Sequence, residues 1–140
     1  MGHRNKDLLH RYFAAAEGGD LAALDELFAD GVVAHIAGNH ALFGDYQGKE
    51  AVFGFFGELA RRSGGTARLR LRHAVADDWF AVALVDASGQ VGSNRFEGEK
   101  AALVLRIEDG RFVEFWSHHY DQRKMDLMWS QLPDDAVINR

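Results

Sequence analysis

Ten residues near the end of the chain, Phe112-Val113-Glu114-Phe115-Trp116-Ser117-His118-His119-Tyr120-Asp121, join an apolar run to two imidazoles, a phenol and a carboxylate. Such a set can handle protons near neutrality, because the unperturbed imidazole pKa is about 6.5. Side chains of a strand alternate between its two faces. Val113, Phe115, Ser117, His119 and Asp121 therefore share one side, and Glu114, Trp116, His118 and Tyr120 the other. The first set predicts a core-facing row that ends in a base and an acid. A carboxylate beside an imidazole fixes its tautomer and raises its basicity, which is the logic of a His-Asp pair. A bulge at Ser117–His119 would exchange the inward histidine, so His118 is the alternate to His119. The competing expectation is an ordinary strand end whose polar residues reach solvent.

Three further residues have the right chemistry. His35 closes a short apolar run and suits general-base work if it faces a cavity; otherwise it ends a strand, bonded to backbone or water. Tyr12 lies on an apolar helix face, where the alternative is a packed ring with its hydroxyl bonded to a neighbour. His73 falls on the apolar row Leu69, Leu71, His73, Val75, where a lone histidine is more often a satisfied core residue than a catalyst. Histidines 35, 40, 73, 118 and 119 form no His-x-Glu or His-x-x-x-His helical pair, so no metal site is expected. The chain has no cysteine, and hence no thiolate nucleophile, disulfide framework or cysteine-based metal site. Nucleophile elbow, phosphate loop and dinucleotide fingerprint are absent from the sequence, and no cofactor is expected.

The elements that must position these groups are legible from periodicity. Leu8, Leu9, Tyr12, Phe13 and Ala16 follow helical spacing. Gly18-Gly19 ends that helix, and Asp20 is a ready N-cap for a second one with Leu21, Leu24, Leu27 and Phe28 as its stripe. A short strand is expected at Val32–Ile36 and a long loop at Ala37–Gly48. A third helix runs from about Lys49 to Arg62, with Val52, Phe55, Phe56 and Leu59 on one face. Gly54 and Gly57 inside it cost about 1 kcal/mol each against alanine, which predicts close approach to a sheet or ligand. From Thr66 the period becomes two: a strand with Arg68, Arg70 and Arg72 on its wet face, another at Trp79–Ala87, a polar loop Ser88–Asn94, and a long strand Arg95–Ile107. Asp109-Gly110 signals a hairpin into the aromatic strand. Met125, Met128, Trp129 and Leu132 predict a short closing helix before Pro133. Three helices with one embedded strand, followed by an antiparallel meander, define an α+β domain.

Composition bounds the rest. A chain of 140 residues fits one domain, 1–140, with a real core. The formal charge of −5 offers no basic field for nucleic acid. No stretch is long and apolar enough to span a bilayer, and Met-Gly-His-Arg-Asn-Lys has no signal-peptide core, so a soluble cytoplasmic protein is expected.

Arg11-Tyr12-Phe13 with Gly19-Asp20, then Ala29-Asp30-Gly31, His35-Ile36-Ala37-Gly38 and Phe43-Gly44-Asp45-Tyr46-Gln47-Gly48 occur in order. Asp109-Gly110-Arg111-Phe112, Asp121, Met125-Asp126 and Trp129 complete a pattern that resembles the nuclear transport factor 2-like (ketosteroid isomerase-like) superfamily, closest to its SnoaL-like members. The resemblance implies a cone-shaped α+β barrel: a curved antiparallel sheet against three N-terminal helices, enclosing an apolar pocket. It also implies a homodimer through the outer sheet face, where the stripe Arg68, Arg70, Arg72 would be solvated or meet acidic residues. Tyr12 matches the first-helix tyrosine that donates to an oxyanion in ketosteroid isomerases. His35 stands where their general-base aspartate does, while their second oxyanion donor falls near Leu103, which cannot donate, so steroid isomerisation by that route is not expected. Asp121 matches the proposed acid/base of SnoaL-type cyclases.

The resemblance thus implies a cofactor-independent acid/base enzyme for a small hydrophobic oxygenated molecule such as a polyketide-like compound. His35 would be the base, Tyr12 an oxyanion donor, and His119–Asp121 the acid or water activator. Phe43, Tyr46, Phe53, Phe56, His73 and Phe115 would line the pocket. The reaction would be isomerisation, cyclisation, dehydration or epoxide opening. The rival reading is a non-catalytic dimeric pocket protein that binds or carries an apolar ligand.

Overall fold

Alternating apolar residues build one six-stranded sheet, and three amphipathic helices cover its inner face. The computed structural model describes residues 2–130; Leu132 and Pro133 of the expected closing segment lie outside them. Helix α1 (Gly2–Gly18) buries Leu8, Leu9, Tyr12 and Ala15 along one stripe. The chain turns at Gly19, whose φ of +66° favours glycine. Asp20 then caps α2 (Leu21–Leu27), its Oδ1 accepting the Ala23 N–H at 3.1 Å. Helix α3 (Lys49–Arg62) buries Val52 and Phe55, with Phe53, Phe56 and Leu59 half-buried beside them. Gly54 and Gly57 are exposed, and a Cβ at either would meet nothing within 4 Å. Close approach does not explain them.

Strands β1 (Phe28–Ile36), β2 (Gly44–Gln47), β3 (Arg68–Ala76), β4 (Phe80–Val91), β5 (Asn94–Glu108) and β6 (Arg111–His119) are ordered β2-β1-β6-β5-β4-β3. β1 runs parallel to β6, and every other pair is antiparallel. The expected all-antiparallel arrangement is therefore corrected at one seam. Phe28 opens β1 directly after α2 rather than ending that helix. β2 occupies part of the expected loop 37–48. The expected polar loop Ser88–Asn94 is mostly paired strand, with Val91 opposite Asn94 across a two-residue turn. Its apolar residues explain this: Val91 and Phe96 are buried in the core.

Bulges decide which side chains face inward. The β3–β4 register shifts between Leu71 and His73, so Leu69 and Leu71 pair with inward residues of β4, but His73 and Val75 pair with Leu84 and Val82 on the outer face. In β6 the shift falls at Val113, so Phe112 takes the inward place expected of Val113. The inner face then presents Val32, Ala34, Ile36, Ala81, Ala83, Val85, Leu103, Leu105, Ile107, Phe112 and Phe115, all buried. α1 lies against β3 and β4, and α3 against β1 and β2. Helix α4 (Gln122–Trp129) closes one end with Met125, Met128 and Trp129 buried, the Trp129 ring edge-on to Phe96 at 6.0 Å. Among the described residues no helix is long and apolar enough to cross a membrane.

Candidate functional site

The inner row of β6 passes from an aromatic wall to a polar end. Phe112 and Phe115 join Phe28, Phe53, Phe56 and Tyr12 in one cluster of rings, with centroids 5.5–6.3 Å apart along its contacts. Ser117 and His119 continue the row opposite Leu103 and Ala101. The register is unbroken from Phe115 to His119, so His119 points inward and His118 is exposed on the other face.

His119 is the singular group of this end. Its Nδ1 is buried and has no hydrogen-bond partner among the described residues. Burial first, then the neighbouring His40, holds its pKa below the ordinary value, against the pull of Glu99 and Asp126. The ring is therefore neutral at pH 7, with one nitrogen uncommitted. Around it stand groups from the 37–43 loop and from α4. Gln122 accepts the His119 backbone N–H on Oε1 at 3.2 Å and donates from Nε2 to Asp126 Oδ1 at 3.0 Å. His40, also buried, accepts the Leu42 N–H on Nδ1 at 3.0 Å, and burial lowers its pKa too. Burial pushes the Asp126 carboxyl up, but hydrogen bonds from Gln122 and the Asn39 backbone, with His40 and His119 nearby, outweigh it and hold the group below the usual range.

The expected partner of His119 is elsewhere. Asp121 is exposed and caps α4, its Oδ1 accepting the Lys124 N–H at 3.1 Å. No strand face carries it, because β6 ends at His119. The helix N-terminus, with its unsatisfied N–H groups, claims the carboxylate first.

His35 lies on the opposite side of the sheet from Tyr12. Val32, Ala34 and Ile36 take the inner face of β1, which leaves His35 outside, paired with Trp116 and stacked on its ring at 5.3 Å. Its Nδ1 lies 2.7 Å from Asp45 Oδ1 and its Nε2 2.6 Å from Glu114 Oε2. Arg106 donates from Nε to Glu114 Oε1 at 3.1 Å and also pairs with Glu108. Hydrogen bonds donated to Asp45 and Glu114 raise the His35 pKa, and His35 with Arg106 holds Glu114 low. This is a saturated ion-pair chain, not an open base. The structure does not bring His35 and Tyr12 together.

Tyr12 is buried against Phe13, Phe28 and Phe112, all edge-on, and burial pushes its phenol up to about 12. It stands at the Phe112 end of the row. A strand rises about 3.3 Å per residue, so roughly 20 Å of β6 separates that end from His119. The two cannot serve one reacting atom. Tyr46 is half-buried and its hydroxyl donates to the Leu42 carbonyl at 2.7 Å, its ring against Phe55 at 4.9 Å. Phe43 is 54% exposed and forms no wall. His73 sits in an outer groove of about 400 Å³ with Arg72, Leu84, Asp86 and Lys100, away from the aromatic cluster. No group of three His, Asp or Glu side chains among the described residues is placed to hold a metal ion.

Sequence reasoning missed the link from the His119 backbone through Gln122 to Asp126. The available signal was the adjacency of Gly38, Asn39 and His40 in a loop, because Gly38 has a φ of +117° and lies hard against α4.

A sheet of this order, wrapped against three helices with a closing fourth, and an inward histidine at the end of its aromatic row define this α+β domain. Residues 9–115 match the SnoaL-like domain family, and the chain belongs to it. An uncharacterized protein of Mycobacterium tuberculosis is 27% identical over 124 residues, spanning 89% of this chain and 95% of that one. The structure of Bal32a, from a soil-derived mobile gene cassette, superposes with a TM-score of 0.87 at 28% identity, covering 91% of this chain and 98% of that one. IdmH of Streptomyces antibioticus, a proposed polyketide cyclase, has the same fold at a TM-score of 0.69 and 21% identity, covering 86% and 96%.

Proposed function

We propose that this protein is a cofactor-independent acid/base enzyme acting on a small, hydrophobic, oxygenated molecule held at the inner sheet face, with His119 as the base. One observation carries the reading: a neutral imidazole with an uncommitted, water-excluded nitrogen, at the end of an apolar aromatic row. Such a nitrogen can take a proton from carbon next to a carbonyl and return it elsewhere, the shared first step of isomerisation and of aldol-type cyclisation. Ser117, one step along the same face, offers a hydroxyl for a substrate oxygen. The aromatic rings favour an uncharged, partly planar ligand of the polyketide type, and the fold shared with a proposed polyketide cyclase supports the same class. His35, Tyr12 and Asp121 have other work in this reading: surface ion pairing, core packing and helix capping.

Native mass spectrometry of the protein purified from its source identifies a co-purifying molecule, which then serves as substrate. His119→Gln should lower turnover at least about 100-fold, the usual worth of a positioned base, while ligand affinity changes less than threefold. Unchanged turnover in that variant would sink the assignment. Binding without turnover in the unsubstituted protein would establish the carrier reading instead.

The same reading includes a homodimer. The outer face carries an apolar patch on β3 and β4, with Val75, Phe80 and Leu84 exposed beside Val82. Arg68, Arg70 and Arg72 lie along its β3 edge, Arg72 paired with Asp86, while Asp45 and Glu114 on the opposite side are paired with His35 and Arg106. A two-fold axis parallel to the strands lays this apolar face over the same face of a second copy, as an isologous interface requires.

A further inference from the structure

We propose that the groove on the outer face of β3, β4 and β5 is a second binding site, one that takes a small apolar anion such as an aromatic or short-chain carboxylate, its charge held by Arg72 and Lys100. The groove lies on the opposite face of the sheet from His119 and stands apart from the reading of that residue as a base.

A bulge builds the groove. The β3–β4 register shifts between Leu71 and His73, so Arg72 has no partner on β4 while His73 stands opposite Leu84. The extra residue sets two consecutive side chains, Arg72 and His73, along the groove where alternation would give one. Asp86 lies between Arg72 and Lys100, its side chain only 12% exposed. It accepts from Lys100 Nζ on Oδ1 at 2.7 Å and from Arg72 Nε on Oδ2 at 2.6 Å. Those bonds, Lys100 first, hold its carboxyl below the usual range, so it is ionised at pH 7. Two cations on one carboxylate leave a positive charge over, and Arg70, opposite Asp86 in the β3–β4 register, adds another. Both cations also have donors to spare. A guanidinium carries five N–H groups and an ammonium three, and among the described residues neither side chain makes a further hydrogen bond. Leu84, 46% exposed, supplies an apolar wall. It also belongs to the patch of the proposed homodimer, but Asp86 and Lys100 lie past it, on the side away from Phe80. The volume of about 400 Å³ falls within the range of small-molecule sites.

Fluorescence titration with anilinonaphthalene sulfonate, an aromatic anion, and with phenylnaphthylamine, the same rings without the sulfonate, tests this directly. The sulfonate dye should shift the backbone amide signals of Arg72, His73, Asp86 and Lys100 in nitrogen–proton correlation spectra. Arg72→Gln and Lys100→Gln should each weaken its binding at least about fivefold, the scale of one charge-assisted hydrogen bond, and leave the uncharged dye within about twofold. Lys100→Arg, which keeps the charge, should bind the sulfonate as the unsubstituted protein does. Arg111→Gln makes the same change in net charge at the start of β6, outside the groove, and should have no effect. Equal weakening of both dyes overturns the proposal, as does weakening by Arg111→Gln as large as that by Arg72→Gln, or failure of Lys100→Arg to retain binding. Absence of binding overturns it too, and so do amide shifts centred on Phe115 and His119, which would put the dye at the inner face. None of these outcomes bears on turnover in His119→Gln.

Discussion

Both ring nitrogens of His35 face carboxylate oxygens, and an ionised carboxylate only accepts, so both nitrogens must carry protons. The pair with Glu114 is about three-quarters shielded, its side chains 28% and 24% exposed, so solvent screens it less than an ordinary surface pair. His35 is raised above its unfolded value of about 6.5, so its contribution is whole below that pH and is lost as pH climbs through the folded value. Glu114 is held low, so its contribution is present above about 4.5 and fades as pH falls through its folded value. The chain of pairs therefore stabilises most between these limits. His35→Gln should cost about 1 kcal/mol at pH 5.5 and progressively less toward pH 9, read from urea midpoints across pH. An equal cost at both ends would mean that protonation of His35 is not what binds it. The outward placement of this residue was legible: Val32, Ala34 and Ile36 alternate around it, and inner-face apolar residues leave their neighbours outside. Its match to a family base position pointed the other way, and the strand period was the better guide.

At the scale of elements, one extra residue in a strand outweighs any pattern read along it. The row Leu69, Leu71, His73, Val75 is regular in sequence, yet the bulge at Arg72 sends its second half outward. Nothing in those side chains announces the bulge, because pairing with β4 decides it. β2 was hidden for another reason: four residues with a half-exposed pattern carry no apolar period, and only pairing to β1 makes them a strand. Helices were more legible, since α2 and α3 begin and end close to their periodic residues and α1 ends close to its last one, though it starts at Gly2, well before Leu8. The end of β6 shows where alternation stops being informative. Asp121 continues the row in sequence but belongs to the next element, as the N-cap of α4. Asp121→Ala should destabilise the protein by about 1 kcal/mol, the usual worth of a cap, while turnover on the identified ligand stays within twofold. A large loss of turnover at unchanged stability would return this carboxylate to the chemistry.

For the whole molecule, the sheet has two faces with different tasks. The inner one is closed by helices and carries the candidate site, while the outer one leaves Val75, Phe80 and Leu84 exposed by 58%, 38% and 46%. Scattered apolar side chains on a surface need no explanation, but a contiguous group on one sheet face marks an interaction site. In the homodimer proposed above, this apolar face of one copy covers the same face of the other. The protein should therefore sediment at twice its 15.6 kDa chain mass. Leu84→Glu places a carboxylate in the middle of the buried face in each copy and should give the single-chain mass with an unchanged circular dichroism spectrum. A dimer that survives Leu84→Glu would mean that another surface joins the chains. A single-chain mass for the unsubstituted protein would leave the apolar face without its second copy.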